Sequence, residues 1–220
     1  MKANDIWVII PAYNEEKRIK EVIERTRRYA KNIVVIDDGS KDGTYKIAVK
    51  SNIKVLKHIV NLGKGSALKT GCDYAVKNGA KKLVVLDADT QHDPKEIPKF
   101  IKNLNGADIV FGYRQLNKEM PIVLKFGNWF IRLITKLLYH IDLKDTQSGY
   151  RAFTAEAYKK IKWNACDYSM ESEMVTKAGK HRLKFKEVPI QTIYSDKYKG
   201  TTVIDGIKIV LNLIWWRLTK

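Results

Sequence analysis

The stretch Val84-Val85-Leu86-Asp87-Ala88-Asp89-Thr90-Gln91-His92 decides how the rest of the chain reads. An apolar run of strand type ends in two carboxylates one residue apart. Alternate residues at a strand end point the same way, and the loop beyond can turn both acids toward one site. Two acids and a nearby amide oxygen, Gln91, make a hard, oxygen-rich site suited to Mg²⁺ or Mn²⁺. Such a metal usually carries phosphates. Short acidic pairs are common in solvated loops, so the meaning of this one depends on its neighbours.

Working outward, the first half alternates strand-like and helix-like segments. Ile6–Ile10 is an apolar run stopped by Pro11, and Glu15–Tyr29 carries Ile19, Val22, Ile23 and Thr26 at helical spacing. Ile33–Ile36 reads as a second buried strand, followed by a helix from Gly43 to Lys50 and a strand over Val55–Ile59. Gly63–Asn78 reads as a helix, Leu83–Leu86 as a strand, Asp93–Asn103 as a helix opened by Asp-Pro, and Ile109–Gly112 as a strand. Apolar strands separated by helices imply an α/β domain whose mostly parallel sheet is covered on both faces. Ligands of such sheets bind beyond the carboxyl ends of the strands. The unusual residues cluster there: Pro11-Ala12-Tyr13-Asn14-Glu15, Asp37-Asp38-Gly39-Ser40, Asn61-Leu62-Gly63-Lys64-Gly65, Asp87-Ala88-Asp89 and Gly112-Tyr113-Arg114.

The second half changes character. Residues 121–140 form an almost continuously apolar helix with Lys125, Arg132 and Lys136 on one stripe, either a core helix or one lying on a membrane surface. Residues 204–218 repeat the pattern, and Trp215-Trp216 beside Arg217 suits a lipid interface or internal packing.

Composition narrows the classes. With 45% apolar residues among 220, the chain can build a real core, and a formal charge of +17 favours anionic partners without choosing among them. Cys72 and Cys166 form no metal spacing, which is consistent with a reducing cytosolic setting. No signal-peptide pattern precedes the first strand, and no run approaches the ~20 apolar residues of a spanning helix. A nucleic-acid-binding reading, suggested by charge, lacks any RNP, KH or zinc-finger pattern. Gly63-Lys64-Gly65-Ser66 fits neither GxxxxGK[ST] nor GxGxxG, which disfavours P-loop and Rossmann readings. Arg114 and Arg151 each follow a Gly-Tyr pair, and arginine forks suit phosphate oxygens, although a surface ion pair is the commoner fate.

Taken together, these residues resemble the GT-A family 2 glycosyltransferases, most closely the dolichyl-phosphate (polyprenyl-phosphate) mannose/glucose synthase branch. The matching blocks are Ile9–Glu16, Val35–Thr44, Asn61–Gly65, Asp87–His92, Gly112–Arg114, Asp145–Phe153 and Glu187–Ile190. The last two lie in the second half, and the Asp145-Thr146-Gln147-Ser148-Gly149-Tyr150-Arg151-Ala152-Phe153 block points to the polyprenyl-phosphate branch and away from a nucleotidyltransferase.

The resemblance implies a single GT-A domain over residues 1–220. Its nucleotide-sugar half would span about 1–115 and its acceptor half about 116–202, with an amphipathic C-terminal helix over 203–220. It implies that Pro11, Ala12, Tyr13, Glu15 and Asp38 hold the nucleoside, with Lys64, Asp87, Ala88, Asp89 and Arg114 completing the nucleotide-sugar site. Asp89 and Gln91 would hold Mg²⁺ or Mn²⁺. Asp89 and Arg114 would carry catalysis, and Arg151, Lys197 and Lys199 would meet the acceptor phosphate. The implied reaction moves a sugar (mannose, glucose or N-acetylglucosamine) from a GDP- or UDP-sugar to dolichyl or polyprenyl phosphate at the cytosolic membrane face, with inversion. A polysaccharide or soluble acceptor is the alternative. Two departures stand out: Gly200-Thr201-Thr202-Val203 lacks the lysine of the family's Gly-x-Ser-Lys, and only one amphipathic helix follows where many relatives continue into membrane spans. The expected membrane contact is therefore peripheral.

Overall fold

The strands lack a polar face because both faces of the sheet are covered. In β1 (Ile6–Ala12), Val8 and Ile10 face one apolar cluster and Ile9 the other. β2 (Asn32–Asp37) divides Ile33 and Val35 from Val34 and Ile36, and β4 (Lys82–Val85) divides Val84 from Leu83 and Val85 in the same way. Continuous apolar runs are the sequence form that two-sided burial requires. The computed structural model describes residues 5–114, 122–191 and 203–219.

The other strands are β3 (Lys54–Lys57), β5 (Ile109–Arg114), β6 (Arg151–Thr154) and β7 (Phe185–Ile190). They form a seven-stranded sheet in the order β3-β2-β1-β4-β6-β5-β7, parallel except for β6, which runs antiparallel to β4 and β5. One face is covered by α1 (Ile19–Arg27), α2 (Thr44–Lys50) and α4 (Ile97–Asn103). The other is covered by α3 (Lys64–Lys77), α6 (Ala155–Ile161) and α7 (Met170–Lys180). Against this second layer lie α5 (Ile122–Tyr139) and α8 (Val203–Thr219), which pack on one another and are tied by the Tyr139 hydroxyl donating to the Leu213 carbonyl at 2.7 Å.

The expected first half is present, with three adjustments. β1 runs through Pro11 to Ala12, because pairing with β4 has already ended at Ile9 and the missing N–H costs no ladder bond on that side. The helix expected from Glu15 starts at Ile19. The preceding backbone is bound to the loop after β2, with the Glu15 and Glu16 N–H groups donating to Thr44 Oγ1 and Asp42. A 3₁₀ turn over Pro94–Glu96, capped by Asp93, precedes α4. Among the described residues no helix is long and apolar enough to cross a membrane.

The helix expected over 121–140 is neither a plain core helix nor a plain surface one. Ile131, Thr135 and Tyr139 are buried, whereas Trp129, Phe130 and Leu137 are exposed. Its cationic stripe is partly neutralised: Arg132 and Lys136 bind Asp142 at 2.6 and 2.9 Å. The hydrogen bond from Arg132 holds the Asp142 carboxyl down at about 2. In α8, Ile209 and Leu213 are buried, while Leu211, Ile214, Trp215 and Leu218 are exposed at i, i+3, i+4 and i+7, a single stripe.

Candidate active site

Parallel strands end at one edge, and β1, β2, β3 and β4 each run into a short loop there. These loops surround a cavity of about 880 Å³. It gathers Pro11, Ala12, Tyr13, Glu15, Asp38, Lys64, Asp87, Ala88, Asp89, Gln91 and Arg114, all of them expected from the sequence. Arg151 does not line it, and Lys197 and Lys199 lie outside the described residues.

At the β1–β2 corner, Asp38 holds a loop in place. Its carboxylate accepts from the N–H groups of Leu62 and Gly63 at 3.0 and 2.9 Å, and contacts His58 Nδ1 at 2.6 Å, while His58 Nε2 reaches Thr70 Oγ1 at 3.0 Å. Gly63 has φ +90°, and a Cβ there would lie 2.4 Å from the Cys166 carbonyl oxygen. Only glycine permits that approach. The turn then presents Lys64 at the start of α3.

Lys64 lies between acids, with Nζ 2.9 Å from Asp87 Oδ1 and 3.0 Å from Glu171 Oε1. Burial alone would lower its pKa, but the charges of Asp87 and Glu171 outweigh that and hold the ammonium firmly protonated. Asp87 shows the reverse balance: burial pushes it up, and Lys64, with smaller help from His92 and Arg151, brings it below the usual carboxylate range. His92 is lowered by burial, and its Nδ1 accepts the Asp87 backbone N–H at 3.1 Å, which places the proton of the neutral ring on Nε2. Gly149 closes over this group. A Cβ there would lie 2.9 Å from Lys64 Nζ and 3.0 Å from Asp87 Oδ2.

Asp89 differs from Asp87. Burial raises its pKa first, and the Asp87 charge adds to that, with the Gln91 N–H (3.0 Å) as partial relief. Thr90, between Asp89 and Gln91, adopts φ +68°, a strained conformation for a β-branched residue. A desolvated carboxylate beside a second one fits a divalent cation. No group of three His, Cys, Asp or Glu side chains that could hold a metal is found among the described residues. A cation here would therefore need most of its ligands from phosphate oxygens and water, which is the usual habit of Mg²⁺.

Arg114, at the end of β5, forks onto Asp145, with Nε 2.7 Å from Oδ2 and Nη2 3.1 Å from Oδ1. Burial raises Asp145, and the Arg114 charge more than reverses that. Arg151 departs from the expectation of a phosphate contact. It is fully buried, donating to the carbonyls of Ser148 (2.9 Å), Glu171 (2.8 Å) and Thr146 (2.8 Å), and stacks over Phe111. A guanidinium so occupied shapes the cavity wall from behind.

The cavity also holds Gln147, Ser148, Gly149, Tyr168 and Glu171, and Lys208 and Asn212 from α8. Gln147 to Gly149 were visible as part of a motif. Glu171 carried no signal, because a glutamate on a helix reads as a solvated residue until the helix is placed.

The family model for glycosyl transferase family 2 matches residues 7–162. The chain belongs to glycosyltransferase family 2. Among relatives of this glycosyltransferase, the UDP-N-acetylglucosamine–dolichyl-phosphate N-acetylglucosaminyltransferase of Methanococcus voltae is 39% identical, covering 98% of this chain and 97% of that one. A dolichyl-phosphate beta-glucosyltransferase of Trichomonas vaginalis is 34% identical over 96% of this chain and 73% of that one. In fold, the enzyme is similar to glucosyl-3-phosphoglycerate synthase from Mycobacterium tuberculosis, solved with Mn²⁺, UDP and phosphoglyceric acid. The TM-score is 0.76 at 18% identity, covering 97% of this chain and 78% of that one. The seven-stranded sheet is thus a GT-A sheet.

Proposed function

We propose that this glycosyltransferase moves a sugar from a nucleotide-sugar to a polyprenyl phosphate such as dolichyl phosphate, with Mg²⁺ or Mn²⁺, at the cytosolic face of a membrane. The observation that carries this reading is the span of the cavity. It runs from Pro11 and Asp38, past Asp87 and Asp89, to Lys208 and Asn212 on α8, the helix whose Leu211, Ile214, Trp215 and Leu218 are exposed. A polar pocket that ends at an exposed apolar helix suits a donor that is water-soluble and an acceptor that is not. The 39% identity to the Methanococcus voltae enzyme makes UDP-N-acetylglucosamine the first donor to test.

In this reading Pro11, Ala12, Tyr13, Glu15 and Asp38 hold the nucleoside. Lys64 keeps Asp87 ionised and oriented beside the diphosphate, and Asp89 and Gln91 hold the cation. The divalent cation, when bound, neutralises charge developing on the nucleoside diphosphate as it leaves. The acceptor phosphate oxygen, already anionic at neutral pH, attacks the anomeric carbon from the opposite side, so the configuration inverts. No strong general base is required. Arg114 holds negative charge at the cavity wall, and positioning supplies the rest. Lys197 and Lys199 are assigned to the acceptor phosphate.

The test is a screen of labelled UDP-N-acetylglucosamine, UDP-glucose and GDP-mannose with polyprenyl phosphate and MgCl₂ or MnCl₂. A lipid-extractable sugar phosphate that disappears with EDTA is expected. Transfer only to water-soluble acceptors would overturn the acceptor assignment.

A further inference from the structure

Two residues that line the cavity, Ser148 and Glu171, each carry a buried polar atom without a hydrogen-bond partner: Ser148 Oγ and Glu171 Oε2. Both residues are only 3% exposed, so bulk water does not satisfy them. Orphaned buried acceptors are costly and uncommon, and two on one cavity wall call for a common explanation.

They are neighbours by construction. Arg151 donates to the carbonyl of each residue, binding the loop before β6 to the first turn of α7. Lys64 then fixes the other Glu171 oxygen at 3.0 Å, so the carboxylate cannot turn away. The same ammonium holds Asp87 at 2.9 Å, which places the pair one salt bridge away from the acids assigned to the diphosphate. The sheet order places them next in line. β1 and β2 carry the nucleoside corner, β4 carries Asp87 and Asp89, and β6 is the strand after β4. Because β6 is antiparallel, its start lies where β4 ends, as the Val85–Arg151 pairing shows. In a nucleotide-sugar the sugar follows the diphosphate directly.

We infer that Ser148 and Glu171 form the subsite for the hydroxyls of the transferred pyranose. The inference rests on the nucleotide-sugar reading above. Ser148 Oγ and Glu171 Oε2 accept from, and in the serine's case also donate to, ring hydroxyls, so a sugar lacking the matching hydroxyl leaves them unpaired. This wall therefore sets which sugar is transferred, whereas the nucleoside corner sets which nucleotide.

The experiment measures affinities of the full chain for UDP and GDP, and for UDP-N-acetylglucosamine, UDP-glucose and GDP-mannose, all with MnCl₂, by titration calorimetry. Ser148→Ala and Glu171→Gln are each compared with the unmodified protein, and thermal melts check their folding. Ser148→Ala should bind the preferred nucleoside diphosphate within about twofold of the unmodified protein, whereas Glu171→Gln also releases Lys64 and is therefore read by its ratio of sugar to diphosphate affinity. Each should bind the nucleotide-sugar roughly 10-fold more weakly, the scale of one lost hydrogen bond to a buried partner. If Glu171→Gln does not fold, Ser148→Ala carries the test alone, since it removes one oxygen. An unchanged ratio of sugar to diphosphate affinity, as an internal water bridging the two atoms would give, overturns the subsite. So does equal weakening of both ligands, which would mean that the residues act only through Lys64. Failure of the unmodified protein to bind UDP or GDP overturns the nucleotide reading itself, and the subsite with it.

Discussion

Replacing Lys64 by methionine should be among the costliest single changes near the cavity. The substitution keeps most of the apolar stem and removes the charge that Asp87 and Glu171 share at 2.9 and 3.0 Å. Removing one partner of a buried ion pair costs about 3–5 kcal/mol, because the remaining charge is left uncompensated. Lys64 and Asp87 keep some solvent contact, with side-chain exposures of 17% and 24%. Screening therefore favours the lower end, about 3 kcal/mol. For a domain of this size that corresponds to roughly 6–12 °C in Tm. The assay is urea unfolding at pH 7, with the slope checked for constancy, run as a cycle with Glu171→Gln. Contact predicts a coupling of about 1–3 kcal/mol between the two sites. The pH dependence has a definite sign. Asp87 is depressed, so its share of stability is present above its unfolded value and lost as pH falls through the folded one. Lys64 is raised, so its share is present below its unfolded value and lost as pH rises beyond it. The Lys64→Met penalty should therefore be flat between about pH 5 and pH 9 and shrink in acid. A penalty below about 1 kcal/mol, or coupling under about 0.5 kcal/mol, would refute the claim that this triad is electrostatically bound together.

Three other outcomes follow from the same geometry. Asp89 is raised by burial and by Asp87, so its ionised form opposes folding. Asp89→Asn should stabilise the metal-free protein by about 0.5–2 kcal/mol in a thermal melt while abolishing both sugar transfer and the Tm increase produced by Mn²⁺. Gly149→Ala inserts a methyl group 2.9 Å from Lys64 Nζ and 3.0 Å from Asp87 Oδ2. The displaced pair should lower kcat/KM about 10- to 100-fold with little change in urea midpoint, and unaltered kinetics would show that the group has room to move. Trp215→Ser and Leu218→Ser remove exposed residues from the α8 stripe. Each should weaken partitioning onto anionic vesicles about 10-fold or more, measured by flotation, and leave folding unaffected.

Much of the first half of the chain was legible in the sequence because its signals are local. β1, β2 and β4 are short apolar runs, each followed within a few residues by its functional loop, so placing the strand also places Pro11, Asp38 and Asp87. Arg151 shows where that logic stops. Its position after Gly149-Tyr150 looked like phosphate-binding chemistry, yet it begins a strand whose surroundings turn the guanidinium inward onto three carbonyls. β6 is only four residues long, and its reversal in the sheet depends on pairing with residues 40 or more positions away in sequence. Glu171 and Lys64 are more than 100 residues apart, and no periodicity connects them.

What the sequence determined by itself was the order of elements, a sheet covered on both faces and the identity of the acids at its edge, because hydrophobic period and turn chemistry act between near neighbours. The tertiary structure alone decided which charges meet: Lys64 with Asp87 and Glu171, Arg114 with Asp145, and Arg151 with the backbone rather than the cavity. The physical reason is that a charged side chain taken out of water is held by whichever partner the fold brings within about 3 Å. That distance depends on how strands β4, β6 and β5 lie side by side and how α7 packs across them.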